Sequence, residues 1–165
     1  MAPPQDTILT RPMLHHYDVD EVGPLHYIFT TIGGSIYDLS FINVGEYDSL
    51  PVYAFNIDRK EAEHCNGSDN MVRNTVAYVL HLFFENIDNA ILSTCDIDDG
   101  KHNARHRLFK RWFNDLNDGN FTFLESQVNT GYGKTWAMLY YHKDSILASL
   151  IKKYFEDYLQ LMNEL

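Results

Sequence analysis

The chain has 165 residues, of which 45% are hydrophobic and 14% aromatic, and its formal net charge at neutral pH is −10. This composition excludes a chain that is mainly disordered, and the length suits one domain. The charge argues against general affinity for nucleic acid or for an anionic membrane, because both require a positive protein surface. We therefore expect an acidic globular protein for which nucleic acid and membranes are not the partners.

The start of the chain is expected to lie outside the folded domain. Residues 1–12 contain three of the five prolines and have no regular apolar pattern, which predicts a flexible tail. The start also lacks a basic region followed by an apolar segment, so it is not a signal peptide. Residues 13–165 are expected to form a single α+β domain.

The first third of this domain predicts an antiparallel meander. The predicted strands are 14–22, 25–32, 36–44 and 52–57. The second of them alternates, so that Tyr27 and Phe29 share one face. Gly33 and Gly34 supply the positive φ angles of a tight turn between the second and third strands.

The middle of the chain predicts a helix followed by a buried strand. Either Ser68 or Asp69 would cap the helix, and apolar residues then recur at helical spacing until about Asn86. Residues 90–95 are apolar without alternation, which is typical of a strand covered on both faces.

The last third predicts a helix, a hairpin and a final helix. The second helix covers about 101–117 and ends before Gly119, and the hairpin pairs 121–128 with 135–142. Asp144 or Ser145 caps the final helix. Its predicted apolar stripe consists of Ile146, Leu147, Leu150, Ile151, Tyr154, Tyr158, Leu161 and Met162.

The element order β-β-β(-β)-α-β-α-β-β-α predicts an α+β fold with one mixed, largely antiparallel sheet and helices packed on it. Residues 128–135 resemble a phosphate-binding P-loop only superficially. The first glycine is replaced by Val128, and a strand rather than a helix is expected to follow. The glycines there are better explained as hairpin residues.

The candidate site is the turn between the buried strand and the second helix. Asp96, Asp98 and Asp99 stand at the exit of the strand, and a helical wheel places Arg105 near the centre of the apolar face of the helix. That face consists of Ala104, Leu108, Phe109, Trp112, Phe113 and Leu116. An arginine in this position must reach solvent or find an anionic partner. The favoured interpretation is a structural ion pair between Asp96 and Arg105.

The same turn could also bind a ligand. Lys101, His102 and Arg105 could hold an anion at the helix N-terminus, or the aspartates could coordinate a divalent cation. The candidate ligand-binding residues are therefore Asp96, Asp98, Asp99, Lys101, His102 and Arg105. His102 and His106 could chelate a transition metal, but a third ligand is missing from the pattern, so we predict no dedicated metal site and no cofactor.

Three cations, Arg107, Lys110 and Arg111, fall on the opposite side of this helix. We interpret them as a solvated basic face that balances a strongly acidic protein, because Trp112 is claimed by the core rather than left for stacking on bases. No serine or cysteine has the sequence context of a catalytic nucleophile.

The two cysteines, Cys65 and Cys95, give no disulfide framework. Cys95 ends an apolar strand and is expected to be a buried thiol, which favours a reducing, cytoplasmic location. Eleven tyrosines are many for this length, and some could form a surface for a protein partner or for self-association.

Several motifs between residues 69 and 113 together resemble those of one protein family. They are Cys95-Asp96-x-x-Asp99-Gly100, Arg105-x-Arg107-x-Phe109 and Trp112-Phe113. With them the chain resembles, over about 25–160, a family of small bacterial proteins of unknown function found mostly in the Bacteroides group. The resemblance implies a bacterial cytosolic protein without an established activity, and it makes these residues the signature of the family.

Three hypotheses follow from the sequence. The leading one is a non-enzymatic bacterial cytosolic module, binding or regulatory, that acts through a protein partner or through self-association. The alternative is an enzyme or sensor for an anionic ligand, such as a phosphate or nucleotide, bound with or without a divalent metal at the turn between Asp96 and Arg105. A third, less favoured one is a role linked to nucleic acid through Arg107, Lys110 and Arg111, which would require binding that weakens steeply with salt.

Overall fold

Across the residues that the structure describes, seven strands and three helices form in the order that the sequence predicts. The computed structural model describes residues 15–45, 49–60, 70–95 and 97–164. The strands are β1 (Asp20–Gly23), β2 (His26–Thr30), β3 (Ile36–Asn43), β4 (Val52–Lys60), β5 (Ala90–Thr94), β6 (Phe121–Thr130) and β7 (Gly133–His142). The helices are α1 (Asn70–Phe83), α2 (His102–Leu116) and α3 (Ala148–Asn163). One mixed sheet with helices packed on it confirms the predicted α+β fold.

Two antiparallel blocks make up the sheet, whose strand order is β1-β2-β3-β4-β5-β7-β6. We call β1–β4 the front block and β5, β7 and β6 the rear block. They meet where β4 and β5 run parallel over three residue pairs, the last of which joins Ala54 to Leu92. A parallel pair needs a long crossover, and α1 lies in it. Beyond Ala54 and Leu92 the two strands have no further paired residues.

An aromatic core lies between α1, α2 and one face of the sheet. Phe83 stacks on Phe41 of the front block with ring centroids 4.2 Å apart. The adjacent Phe84 contacts Phe121 and Tyr140 of the rear block at 4.9 and 5.5 Å. Because consecutive side chains at the end of α1 enter different blocks, this helix joins the two halves of the sheet.

The opposite face of the sheet is covered over the rear block and over the start of β4, where Val52 is fully buried. Ile151 and Phe155 of α3 are buried there against a cluster that includes Leu92 and Leu139. Over the rest of the front block, no helix of the described ranges packs on this face. Ile36 and Ile42 of β3 keep 39% and 55% of their surface exposed as a result.

Two strand boundaries differ from the prediction. β1 begins at Asp20 rather than at residue 14, since only the last residues of that segment pair with β2. β4 extends to Lys60, although the predicted strand ended at residue 57, because β4 pairs with β3 from Tyr53 to Lys60. The predicted helix cap at Ser68 or Asp69 and the predicted tail lie outside the described residues.

The predicted apolar stripe of the last helix is only partly correct. Ile146, Leu150 and Leu161 are 88%, 53% and 60% exposed, whereas Phe155, which the prediction left out, is 3% exposed. The helix begins at Ala148, so Ile146 lies in the preceding turn. Contact with the rear block is narrow, and the outer members of the predicted stripe therefore face away from it.

Candidate functional site

Asp99 and Arg105 form a bidentate ion pair across the first turn of α2. Both guanidinium nitrogens donate to the Asp99 carboxylate, with Nη1 at 3.0 Å from Oδ1, and the Lys101 backbone N–H also donates to Oδ1 at 3.0 Å. The Arg105 hydrogen bond, helped by that of Lys101, holds the pKa of Asp99 below its ordinary value. The Arg105 and Asp99 side chains are 35% and 43% exposed, so this pair lies at the surface. Asp96, the predicted partner, lies outside the described residues, and Asp98 is exposed.

The inward face of α2 is rotated from the predicted one. Ala104 and Leu108 were placed on the apolar face but are exposed, whereas His106 and Phe113 are only 8% and 1% exposed. Arg105 consequently flanks the buried face rather than occupying its centre. The prediction failed because it left His106 out of the buried face, while the sheet below the helix offers specific partners to the imidazole.

These partners are Glu125 of β6 and Trp136 of β7. Together with His106 and Lys110 of α2 they form a compact group, which we call the His106 cluster: His106, Lys110, Glu125 and Trp136. The His106 ring stacks on the Trp136 indole with centroids 4.1 Å apart and an interplanar angle of 4°. Its Nε2 atom lies 2.6 Å from Oε2 of Glu125, and Nζ of Lys110 donates to Oε1 of Glu125 at 2.8 Å. Lys110 was predicted to belong to a solvated basic face, but it is half-buried, and Arg107 and Arg111 of that group are exposed.

The His106 cluster is internally neutralised. Burial alone would raise the pKa of Glu125, but the hydrogen bonds from Lys110 and His106 outweigh it and hold that pKa below its ordinary value. One carboxylate thus has two hydrogen-bond partners on α2, Lys110 and His106. Together with the Asp99–Arg105 pair, this arrangement fastens α2 to the sheet and to the turn that precedes the helix.

We expect Glu125→Gln to weaken folding in a manner that depends on pH. A carboxyl group whose pKa is lowered by folding stabilises the native state above its unfolded pKa of about 4.5 and loses that effect as the pH falls through the folded pKa. At pH 7 the variant should lose about 1 kcal/mol of unfolding free energy, and this difference should shrink below about pH 4.5. Urea unfolding across this pH range measures it, with Glu156→Gln as the control on the exposed side of α3. A constant difference at all pH values would contradict the assignment.

Two further residues near this turn, His102 and Cys95, were singled out in the sequence analysis. The Nδ1 atom of His102 is buried and finds no hydrogen-bond partner among the described residues. The Cys95 thiol is 2% exposed, and burial raises its pKa to about 11, so it is not a nucleophile at neutral pH. Among the described residues, no three His, Cys, Asp or Glu side chains converge where a metal ion would bind.

A cleft opens on the other side of the sheet, where β4 and β5 separate beneath α3. Its volume is about 240 Å³. The lining consists of Val44, Ala54, Phe55, Asn56, Leu92, Ser93, Thr94, Tyr154 and Tyr158. Two tyrosines of α3 bridge it. The hydroxyl of Tyr154 donates a hydrogen bond to the backbone carbonyl of Val44. The hydroxyl oxygen of Tyr158 lies 2.8 Å from Oγ1 of Thr94, within hydrogen-bond distance. The lining contains no acidic or basic side chain.

The uncovered side of the front block runs directly into this cleft, and we call it the open face. It carries apolar residues of β2 and β3 among polar ones, namely Ile28, Ile36, Ile42, His26, Asp38, Ser40, Asn56 and Asp58. Ile42 pairs with Ala54, and Ala54 pairs with Leu92, so one row of side chains leads from the open face to the cleft. Nε2 of His26 lies 2.7 Å from Oδ1 of Asp38, and both side chains are about 40% exposed.

The sequence reasoning missed both the His106 cluster and the open face. Glu125 joins His106 across 19 residues of sequence, and no local spacing reveals such a pair. For the open face a signal did exist. In β4, Asn56, Asp58 and Lys60 alternate with Phe55 and Ile57, and this alternation is typical of a strand that has one uncovered side.

Fold and surfaces together define an α+β protein whose single mixed sheet is covered by helices on one face and half-covered on the other. The family model described as "Family of unknown function (DUF6169)" matches residues 68–157, which is more than half of the chain. The chain therefore belongs to that family. No curated protein matches it, and neither does any solved structure. Across the described ranges, every helix is too short or too polar to span a membrane.

Proposed function

We propose that this chain is a non-enzymatic binding or regulatory module of the bacterial cytosol, and that it binds a protein partner through the open face. One observation carries the proposal: among the described residues, no helix covers the open face, although Ile28, Ile36 and Ile42 stand on it. Apolar surface of this kind is costly to leave in water and is a frequent mark of protein interaction sites.

The polar side chains of α2 that the sequence analysis singled out support a structural role for this helix rather than a catalytic one. Arg105 is engaged by Asp99, and both His106 and Lys110 are engaged by Glu125. A general acid or base needs to reach a substrate, and the imidazole of His106 lies beneath α2 with 8% of its residue surface exposed. Location in the cytosol is supported by the buried, free thiol of Cys95 and by the family resemblance.

The test compares two double variants that change the same chemistry on different surfaces. Ile36→Ser with Ile42→Ser alters the open face, while Leu150→Ser with Leu161→Ser alters the outer side of α3, where the leucines are 53% and 60% exposed. Each is used as bait in quantitative pull-downs from the native host. We expect the wild type and the α3 variant to recover the same amount of the same partner. The open-face variant should recover about one tenth of that amount or less.

Light scattering after size exclusion serves as the companion measurement, because self-association through the open face would also satisfy the proposal. Both variants change exposed side chains, so each should keep its unfolding free energy within about 0.5 kcal/mol of wild type. A strictly monomeric protein that recovers nothing, or a partner that both variants retain equally, would count against the proposal.

A second candidate is a sensor or enzyme for an anionic ligand at the turn between Asp96 and Arg105. It is favoured by the buried, unpartnered Nδ1 of His102 at the start of α2. We expect phosphate, nucleotides or Mg²⁺ to raise the thermal midpoint if this candidate holds, and His102→Ala to remove the rise. If none of these ligands moves the midpoint, the candidate should be dropped.

A further inference from the structure

The acidic charges of the open face fall into a row, and Lys60 stands on the same face two residues beyond Asp58. Cross-strand pairing places Asp20 beside Ile28, Ile28 beside Asp38 and Asp38 beside Asp58, so three aspartates lie in one line across four strands. Like charges that stand directly opposite each other in a sheet repel, and Asp38 and Asp58 do so here. Among the described residues, Asp38 pairs with His26, whereas Asp20 and Asp58 have no ion-pair partner.

The cleft lies at a fixed distance from this row. Asp38 and Ile42 are four residues apart on β3, as are Asp58 and Ala54 on β4, which corresponds to roughly 13 Å along a strand. At about 240 Å³ the cleft is smaller than most pockets for whole ligands, which start near 300 Å³, and suits a single side chain. A charged group would be poorly accommodated there, since no lining residue offers a counter-charge.

We propose that the partner is a polypeptide segment that places a basic side chain over the aspartate row and inserts an uncharged aliphatic or aromatic side chain into the cleft. This inference rests on the function proposed above and specifies the chemistry of the partner. In an extended segment the two side chains are about four residues apart, and in a helical one about nine.

Charge complementarity selects this occupant over others. A second copy of the chain would bring the same aspartates against these, and its net charge of −10 adds to the repulsion. Nucleic acid and anionic lipid are repelled for the same reason. A basic segment instead relieves the repulsion between Asp38 and Asp58.

The experiment selects binders from a display library of random peptides on the purified wild-type chain. We expect the enriched peptides to carry net positive charge and an apolar anchor at one of the two spacings. A labelled representative is then titrated against Asp20→Asn with Asp58→Asn, for which we expect about a fivefold loss of affinity at low salt and a weaker dependence on salt. The control, Asp144→Asn with Glu156→Gln, makes the same charge change elsewhere and should leave affinity unchanged.

The cleft is tested separately. Ala54→Leu fills it from within and should lower affinity about tenfold. Asn56→Trp covers it from an exposed position, so the test does not depend on one variant folding. Enrichment of acidic or uncharged peptides, absence of any enrichment, or equal losses in the aspartate variant and its control would overturn the inference.

The proposed function fails in a different way from this inference. Peptides that lose binding in the Ile36→Ser and Ile42→Ser variant but carry no basic residue would leave the open face intact as a binding surface and refute only the chemistry of the partner. Binding that this variant does not affect would refute both. A dimer that the same variant splits would support the open face and exclude the basic segment as its occupant.

Discussion

Replacement of Tyr140 by alanine should lower the free energy of unfolding by about 4 kcal/mol, the largest loss that we expect from a single substitution. Tyr140 is fully buried and stacks on Phe113 and Phe121 with ring centroids 4.6 and 4.8 Å apart. Its hydroxyl donates to the backbone carbonyl of Phe113 at 3.2 Å, and burial raises the pKa of the phenol. The substitution therefore removes a ring from the centre of the aromatic core and the hydrogen bond that orients it.

Urea unfolding measures this loss, and Tyr132→Ala is the matched control. Tyr132 is 90% exposed in the turn between β6 and β7, so its replacement should change stability by no more than about 0.5 kcal/mol. Tyr140→Phe keeps the ring and removes only the hydrogen bond, for which we expect about 1 kcal/mol. Equal effects of alanine at positions 132 and 140 would contradict the described core.

The second large effect is expected at Phe155. Phe155→Ala should cost about 3 kcal/mol, because this side chain and Ile151 are the buried residues by which α3 packs on the rear block. The loss should be concentrated in the helix. Amide hydrogen exchange would then show α3 opening more readily than β7, whose hydrogen bonds lie within the sheet.

Leu161→Ala is the control for this prediction, and it also separates two views of α3. The apolar stripe predicted from the sequence contained Leu161 and omitted Phe155, so it would assign the greater loss to Leu161. With 60% of its surface exposed, Leu161 should contribute less than about 1 kcal/mol. A greater loss at Leu161 than at Phe155 would show that the helix packs by the face that the sequence suggested.

Strand alternation and turn residues were sufficient to predict the element order. Tyr27 and Phe29 do point into the core, and Gly34 has a positive φ angle of 87° in the predicted turn. Gly33 was predicted to have a positive φ angle as well and does not, while Gly133, with a φ angle of 140°, is the first residue of β7. Local patterns are reliable here because side chains alternate strictly along a strand. The unpaired stretch before Asp20 and the polar end of β4 were misjudged, since pairing with a neighbour strand decides such boundaries.

Helix orientation was harder to predict than helix position. For α2 the wheel favoured Leu108, which is 39% exposed, over His106, which is 8% exposed. A polar side chain is buried when distant residues satisfy it, and Glu125 and Trp136 come from strands that follow the helix. Prediction of the candidate site was limited in the same way, because it also depends on contacts between residues distant in sequence. The link between Asp99 and Arg105 spans six residues and lay within reach of sequence reasoning, whereas the open face depends on which helix covers which strand.

The adjacent phenylalanines at the end of α1 have a consequence for how the molecule comes apart. If the front block alone unfolded, Phe83 would lose its stacking partner Phe41, while Phe84 would keep the end of the helix packed on the rear block. If the rear block alone unfolded, Phe84 would lose its partners instead. In both cases an aromatic ring at the end of α1 becomes exposed to solvent. The domain should therefore open in one cooperative step, and a fragment that ends at β4 would lack the helix on which its own core depends.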